Sequence, residues 1–166
     1  SREDEVNNFI TQCNLNGYPI ECNSLYYLAG PYNELVDSGG TCFPIDVNIQ
    51  IAENASFDLW EKGIPVFTPH LNTRGFHEPR LSVFSSIERR IEDSLFVKNL
   101  VDNLYRFSGL ILLPNWQYSS GTKQEIMKAL EIGKPIFHYG QVMIEIWDPI
   151  NFKGDLDAIR EEMARK

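Results

Sequence analysis

Four short apolar runs constrain the fold of this chain more than any other feature of its sequence. They cover residues 25–29, 64–67, 110–113 and 135–138, and each one stops at a glycine, a proline or a polar turn. The runs are largely apolar throughout rather than alternating with polar residues, which is typical of strands buried on both faces of a parallel sheet.

Helical spacing of apolar residues fills the intervals between these runs. It predicts helices over residues 47–62, 84–107 (continuous or broken once) and 121–132, a polar terminal helix over 155–165, and a further short strand over 143–147. Strands and helices that alternate predict an α/β fold, here a Rossmann-like (flavodoxin-like) open parallel sheet of about five strands with helices on both faces. Ligands of such sheets bind beyond the carboxyl ends of the strands, so the loops that follow the strands are the candidate site.

The length of the chain predicts a single domain. Its 166 residues, of which 43% are hydrophobic and 23% charged, are enough to bury one core. Residues 1–24 are polar and contain Asn16-Gly17 and Pro19, which indicates a lead-in segment. We therefore expect residues 25–166 to form the domain.

The net charge limits the classes of partner. Fifteen Lys and Arg against 23 Asp and Glu give a net charge of −8, whereas surfaces that bind nucleic acid need clustered positive charge. We therefore expect a small-molecule ligand and no nucleic acid polymer. No apolar run approaches the roughly 18 residues of a membrane span, so no association with a membrane is expected.

The cysteines indicate a reducing compartment. Cys13, Cys22 and Cys42 are odd in number and lack the spacing of a zinc site. We interpret them as free thiols in a cytoplasmic protein, since disulfides are rare there. A Cys13–Cys22 bridge is the alternative.

The most distinctive local pattern is the start of the third predicted helix. Ser119, Ser120, Gly121 and Thr122 follow a strand and a loop, and free N–H groups, hydroxyls and a glycine at a helix start can bind an anion. An ordinary serine N-cap explains the same pattern. Glu125 lies about one turn further on, where it either reaches the pocket floor or interacts with the helix dipole.

Several segments together resemble the nucleoside 2-deoxyribosyltransferase-like superfamily, which includes base-exchanging deoxyribosyltransferases and nucleoside 5′-monophosphate N-glycosidases. The resemblance extends over roughly residues 25–138. Its segments are, in chain order, Tyr26-Tyr27-Leu28-Ala29-Gly30-Pro31, Leu110–Pro114, the loop of Trp116, Ser119-x-Gly121-Thr122-x-x-Glu125, and Ala129-x-x-x-Gly133-Lys134-Pro135.

The resemblance implies roles for individual residues. Glu125 falls on the carboxylate that attacks the anomeric carbon of the sugar, and Tyr27 falls on a tyrosine near the sugar and that carboxylate. Ser119 and Gly121 fall on a 5′-phosphate pocket, and the residues after the first strand form the opposite wall. The residues expected to bind substrate are Gly30, Pro31, Asn33, Trp116, Ser119, Ser120, Gly121 and Thr122.

The sequence departs from the family pattern at two acidic positions. The family often has an Asp just before the third strand, where this chain has Ser108. A second Asp, in the preceding helix, falls by strict spacing on Leu100, and Asp102 lies two residues away. We take Asp102 as the second catalytic carboxylate; a solvated surface residue is the alternative, and Glu92 and Asp93 are further candidates.

Aromatic and histidine side chains offer candidates for contact with a base. Trp116 and Tyr118 are placed to stack on a nucleobase or to pack against their own loop. His70 and His77 flank the loop after the second strand, where they either face the base or have no role in binding.

These features predict an enzyme that cleaves the N-glycosidic bond of a nucleoside or nucleoside 5′-monophosphate, by hydrolysis or by base transfer. The paired Ser119 and Ser120 slightly favour a substrate that carries phosphate. No metal or redox cofactor is expected, and the resemblance implies a homo-oligomer. The alternatives are a phosphoribohydrolase of the cytokinin-activating type, whose Pro-Gly-Gly-x-Gly-Thr run this chain lacks, and a catalytically silent nucleotide-sensing module.

Overall fold

The computed structural model describes residues 24–76, 78–82, 85–140, 144–147 and 153–165, together with the single residues 4, 7, 8 and 11. Most of the expected lead-in segment 1–24 lies outside the described residues, as do Cys13, Cys22 and His77. Cys42 is a free and exposed thiol.

The described chain contains nine strands and five helices. The strands are β1 (Tyr26–Ala29), β2 (Leu35–Val36), β3 (Cys42–Phe43), β4 (Val66–Phe67), β5 (Arg80–Ser82), β6 (Ser85–Arg89), β7 (Gly109–Leu112), β8 (Ile136–Tyr139) and β9 (Ile144–Ile146). The helices are α1 (Ile45–Glu61), α2 (Pro69–Asn72), α3 (Asp93–Asp102), α4 (Ser120–Glu131) and α5 (Lys153–Ala164), and short 3₁₀ turns cover Leu104–Arg106 and Trp116–Tyr118. None of the helices in these ranges is both long and apolar enough to cross a membrane.

Five strands form the central sheet in the order β4-β1-β7-β8-β9. Neighbours among the first four strands are parallel, and β9 runs antiparallel to β8. The predicted α/β fold with an open, Rossmann-like sheet is thus confirmed, with an antiparallel last strand. Strand β9 follows β8 after a connection too short for a crossover helix, and such a connection joins antiparallel strands.

The core lies on both faces of the sheet. On one face, Tyr26 and Leu28 of β1 pack with residues of α1; on the other face, Tyr27 of β1 packs with residues of α4. Side chains alternate between the faces of a strand, so Tyr27 and α4 share a face. This alternation places a tyrosine hydroxyl beside the helix that carries Glu125.

The predicted long helix over 84–107 is wrong in its first part. Strands β5 and β6 form an antiparallel hairpin, and helix α3 begins only at Asp93. Ile87, one of the apolar residues on which the helix was predicted, is 68% exposed in β6. The apolar spacing there therefore did not mark a buried helical face, and only the part from 93 onward packs as a helix.

The segment 32–46, which follows β1, contains a small antiparallel hairpin, β2–β3. The buried amide of Asn48 fixes its base, since Nδ2 donates to the carbonyl of Asn33 at 2.9 Å and contacts two further carbonyls. At its turn, Oδ1 of Asp37 accepts from the backbone N–H groups of Gly39 and Thr41. Side-chain hydrogen bonds therefore fix the conformation of this segment.

Candidate active site

The candidate site is a pocket at the carboxyl end of β1. Its cavity volume is about 300 Å³. Strand β1 lies between β4 and β7 in the sheet, so the chain leaves β1 in one direction and returns on its other side. Such a switch point is where open α/β sheets bind ligands.

Four segments line this pocket. They are the end of β1 with the residues that follow it (27–35), the start of α2 (Pro69 and His70), the inner face of α3 (Phe96, Val97 and Leu100), and the start of α4 with the residue before its cap (118–122 and Glu125); Thr73 completes the described lining. The position predicted from the carboxyl ends of the strands thus holds a pocket.

A glycine is required where the chain leaves β1. A Cβ atom on Gly30 would lie 2.6 Å from the Cβ of Leu113, which is closer than two such atoms can approach. Leu113 follows β7 and its N–H donates to the carbonyl of Ala29. Gly30 therefore allows the ends of β1 and β7 to approach each other closely beside the pocket.

Helix α4 begins at the pocket with a serine cap. The Oγ of Ser119 accepts hydrogen bonds from the backbone N–H of Thr122 at 3.1 Å and from the Thr122 hydroxyl at 2.9 Å. The ordinary N-cap interpretation of this serine is therefore correct. Ser119 lines the pocket as well.

Glu125 is the buried carboxyl of the pocket. It lies on α4 and is 8% exposed. Burial removes water from the charged form and raises the pKa of this carboxyl to about 8, while the nearby Tyr27 hydroxyl acts in the opposite direction. Raised carboxyl pKa values cluster at functional sites, because an uncompensated buried acid costs stability.

The Tyr27 side chain is held rigidly next to Glu125. Its ring contacts the rings of Phe67 and Phe107, with centroids 5.9 and 5.2 Å away. Its hydroxyl is buried and makes no hydrogen bond of regular geometry. Burial and the neighbouring Glu125 raise the pKa of Tyr27 well above its usual value, so the phenol keeps its proton and can donate it to a hydrogen bond.

His70 joins the two loops on the opposite wall. Its Nε2 lies 2.8 Å from the carbonyl oxygen of Pro31, so this nitrogen carries the proton. Burial lowers the pKa of His70, and its Nδ1 has no partner. The histidine therefore fixes the segment after β1 and leaves one buried acceptor.

The structure does not bring Asp102 to the pocket. Its carboxylate pairs with Lys98 at 2.8 Å on the outer face of α3, and its side chain is 54% exposed. Leu100, the position that strict spacing indicated, is the residue that lines the pocket. The expectation of Asp102 as second catalytic carboxylate is therefore corrected to a surface ion pair.

The structure likewise places Trp116 in the core rather than in the pocket. Its side chain is 1% exposed and meets Trp147 edge to face at 6.4 Å. Trp116 is thus unavailable for stacking on a base. Tyr118, 42% exposed, does line the pocket, and its hydroxyl accepts a hydrogen bond from the Ser38 N–H at 3.0 Å.

Ser108 lies at the amino end of β7, opposite the end of the sheet that carries the pocket. It precedes β7, its N–H donates to the Leu25 carbonyl, and its hydroxyl accepts from the Leu25 N–H. These contacts join the amino ends of β1 and β7. A serine in place of the family's Asp is therefore remote from the pocket at the carboxyl ends.

The remaining predicted site residues meet in one pocket. Its lining includes Tyr27, Gly30, Pro31, Asn33, Ser119, Ser120, Gly121, Thr122 and Glu125. Sequence reasoning missed Glu34 and the apolar wall of α3. Both were accessible: Glu34 directly follows predicted site residues, and Phe96, Val97 and Leu100 recur at helical spacing.

Comparison of the chain with family models, curated proteins and solved structures finds no match to any of them. Among the residues that the structure describes, no group of three or more His, Cys, Asp or Glu is placed to hold a metal ion.

Proposed function

We propose that the protein cleaves the N-glycosidic bond of a nucleoside or nucleoside 5′-monophosphate, with Glu125 as the nucleophile. The observation that carries this proposal is a buried carboxyl beside an unpartnered tyrosine hydroxyl in a pocket of about 300 Å³ at the sheet's switch point. A cavity of this size is at the lower end of those that hold small ligands.

The chemistry follows from the protonation states of the pair. Ionised Glu125 attacks the anomeric carbon, a carbon–oxygen bond forms, and the carbon–nitrogen bond breaks with its electron pair on the departing base. The Tyr27 hydroxyl lowers the pKa of Glu125 and so favours the ionised carboxylate. Water then releases the sugar, or a second base takes it up; the first outcome is hydrolysis and the second is base transfer.

The proposed reaction works without a second buried carboxyl. In the described part of the pocket, Glu125 is the only buried carboxyl, because Asp102 faces solvent and Leu100 takes the corresponding wall position. The departing base therefore takes its proton from water. This requirement makes the reaction slow for poor leaving groups.

The same observation favours a second candidate function, a binding module without turnover. Leu100 in place of an acid is compatible with a pocket that holds a nucleoside and does not cleave it. Retention of both Tyr27 and Glu125 supports the enzyme, since binding alone does not need a buried carboxyl whose pKa is raised.

The test is incubation of the protein with ribo- and deoxyribonucleosides and their 5′-monophosphates, with and without an acceptor base, and chromatography of the released bases. Wild-type protein and Glu131→Gln, an exposed change at the far end of α4, should release base, and Glu125→Gln should not. Base exchange in the acceptor samples identifies a transferase. Tight binding without release in every sample would support the binding module instead.

A further inference from the structure

The described lining of the pocket contains no Lys or Arg side chain. It contains two carboxyls, Glu125 on α4 and Glu34 on the wall after β1. The whole chain carries a net charge of −8. A dianionic phosphate that enters this pocket would therefore meet the carboxylate of Glu34, and that of Glu125 when it is ionised, and no cationic side chain of the described residues.

The basic residues of the two flanking helices are engaged elsewhere. Lys123, in the first turn of α4, pairs with Glu162 of α5 at 2.5 Å. Lys98 of α3 pairs with Asp102 on the surface. A cation held in a close ion pair away from the pocket offers little compensation to a ligand inside it.

The start of α4 is the remaining source of positive potential, and it is partly used by the protein itself. Ser119 Oγ already accepts from the Thr122 N–H and hydroxyl. A helix start corresponds to about half a positive charge, against roughly two negative charges on a phosphate monoester. The serine pair that favours phosphate in the sequence thus acts, in the case of Ser119, as a helix cap.

The wall that carries Glu34 is fixed over this helix start. Glu34 precedes the β2–β3 hairpin, whose base is held by Asn48. The tip of the hairpin reaches Tyr118, the residue before the cap, through the 3.0 Å hydrogen bond from Ser38. These contacts fix the backbone of the wall from which the exposed side chain of Glu34 extends.

We propose that the pocket selects an uncharged nucleoside over its 5′-monophosphate and that Glu34 is the residue that determines this specificity; this inference rests on the proposed N-glycosidic cleavage. A phosphate loses hydration on entry and gains no paired cation, which is the costly way to bury a charge. A 5′-hydroxyl carries no such penalty and can donate to an oxygen of the wall.

The experiment compares matched pairs, each a nucleoside and its 5′-monophosphate with the same base and sugar, and measures kcat/KM for both. Wild-type protein should prefer the nucleoside by at least about tenfold. Glu34→Gln should lower the ratio of the two kcat/KM values, nucleoside over monophosphate, about three- to tenfold. Glu131→Gln, with the same change of charge outside the pocket, should leave the ratio unchanged.

Ionic strength adds a readout that a purely structural role of Glu34 would not move. The preference of the wild type should shrink as salt is raised from about 20 to 500 mM, and that of Glu34→Gln should change less. A wild type that prefers the monophosphate, or a ratio that Glu34→Gln leaves unchanged, would overturn the inference.

Calorimetric titration of the same pairs separates this inference from the proposed function. Binding of the nucleoside in preference to the monophosphate, without base release, would support the charge selectivity and overturn only the cleavage. Base release from monophosphates alone would support the cleavage and overturn the selectivity. Binding of neither member of any pair would overturn both.

Discussion

Helices α3 and α4 flank the same pocket but present opposite chemistry to it. Helix α4 contributes its capped start and the buried Glu125, whose pKa is raised to about 8. Helix α3 contributes an apolar wall that includes Leu100, while Asp102 pairs with Lys98 outside, where that ion pair lowers the pKa of the Asp102 carboxyl. Helix α4 thus supplies a buried carboxyl to the pocket, and helix α3 carries its carboxyl on the surface.

The role of a carboxylate on these helices depends on which face of the helix carries it. Successive residues of an α-helix turn by about 100°, so Leu100 and Asp102 point about 200° apart. A position two residues from the expected one is therefore on nearly the opposite face. Proximity in sequence does not bring an acid to a pocket.

The largest effect is expected on catalysis, from substitution of Glu125 on α4. Glu125→Gln keeps the shape of the side chain and removes the nucleophile, so base release should fall by at least about 10³-fold. Initial rates of base release by chromatography measure the effect. A loss of less than tenfold would show that another group attacks the sugar.

The same substitution should raise stability at alkaline pH. The folded state holds the Glu125 proton up to about pH 8, whereas the unfolded chain releases it near pH 4.5. The contribution of Glu125 to the free energy of unfolding is therefore fully present below about pH 4.5 and is lost as pH rises towards 8. The loss is about 1.4 kcal/mol per pH unit, or up to several kcal/mol in all.

Denaturant unfolding of wild-type protein and Glu125→Gln at pH 4 and pH 9 checks this linkage. The two proteins should be similar at pH 4, and the variant should be the more stable one at pH 9. Equal differences at both pH values would mean that Glu125 does not titrate between them.

A smaller effect is expected from Tyr27→Phe. The hydroxyl of Tyr27 lowers the pKa of Glu125, so its removal should shift the rising limb of kcat/KM to higher pH than the wild-type limb near pH 8. Stability should change little, since this buried hydroxyl has no regular hydrogen bond to lose. An unshifted limb would show that the Tyr27 hydroxyl does not influence the pKa of Glu125.

The smallest effect is expected on the other helix. Asp102→Asn breaks an exposed pair with Lys98, and such pairs contribute little. Base release should therefore stay within about twofold of the wild type, and Lys98→Gln provides the matched control. A loss of a hundredfold or more in Asp102→Asn alone would restore Asp102 as a catalytic group.

The central sheet could be predicted because its signal is local. Runs such as 110–113 are apolar at every position, and a strand buried on both faces needs this pattern. The β5–β6 hairpin could not, because Ile87 falls on a helical spacing and is exposed in the structure. A periodicity shows which residues are apolar, whereas tertiary packing decides whether they are buried.

The site residues at the end of β1 and at the start of α4 could be predicted from the sequence. The resemblance implied that Tyr27 lies near Glu125, and the alternation of side chains along β1 places Tyr27 on the face that α4 covers. Asp102 and Trp116 depended on side-chain direction, which a helix phase and a 3₁₀ turn decide. Neither is visible in the spacing of residues along the chain.

Covalent attack by Glu125 is tested most directly by mass spectrometry of the protein quenched during turnover of a nucleoside whose sugar carries a 2-fluoro group, which slows release of a glycosyl-enzyme. We expect one sugar mass on the peptide that contains Glu125 and none in Glu125→Gln. Release of base by the wild type with the sugar on another residue, or on none, would contradict it.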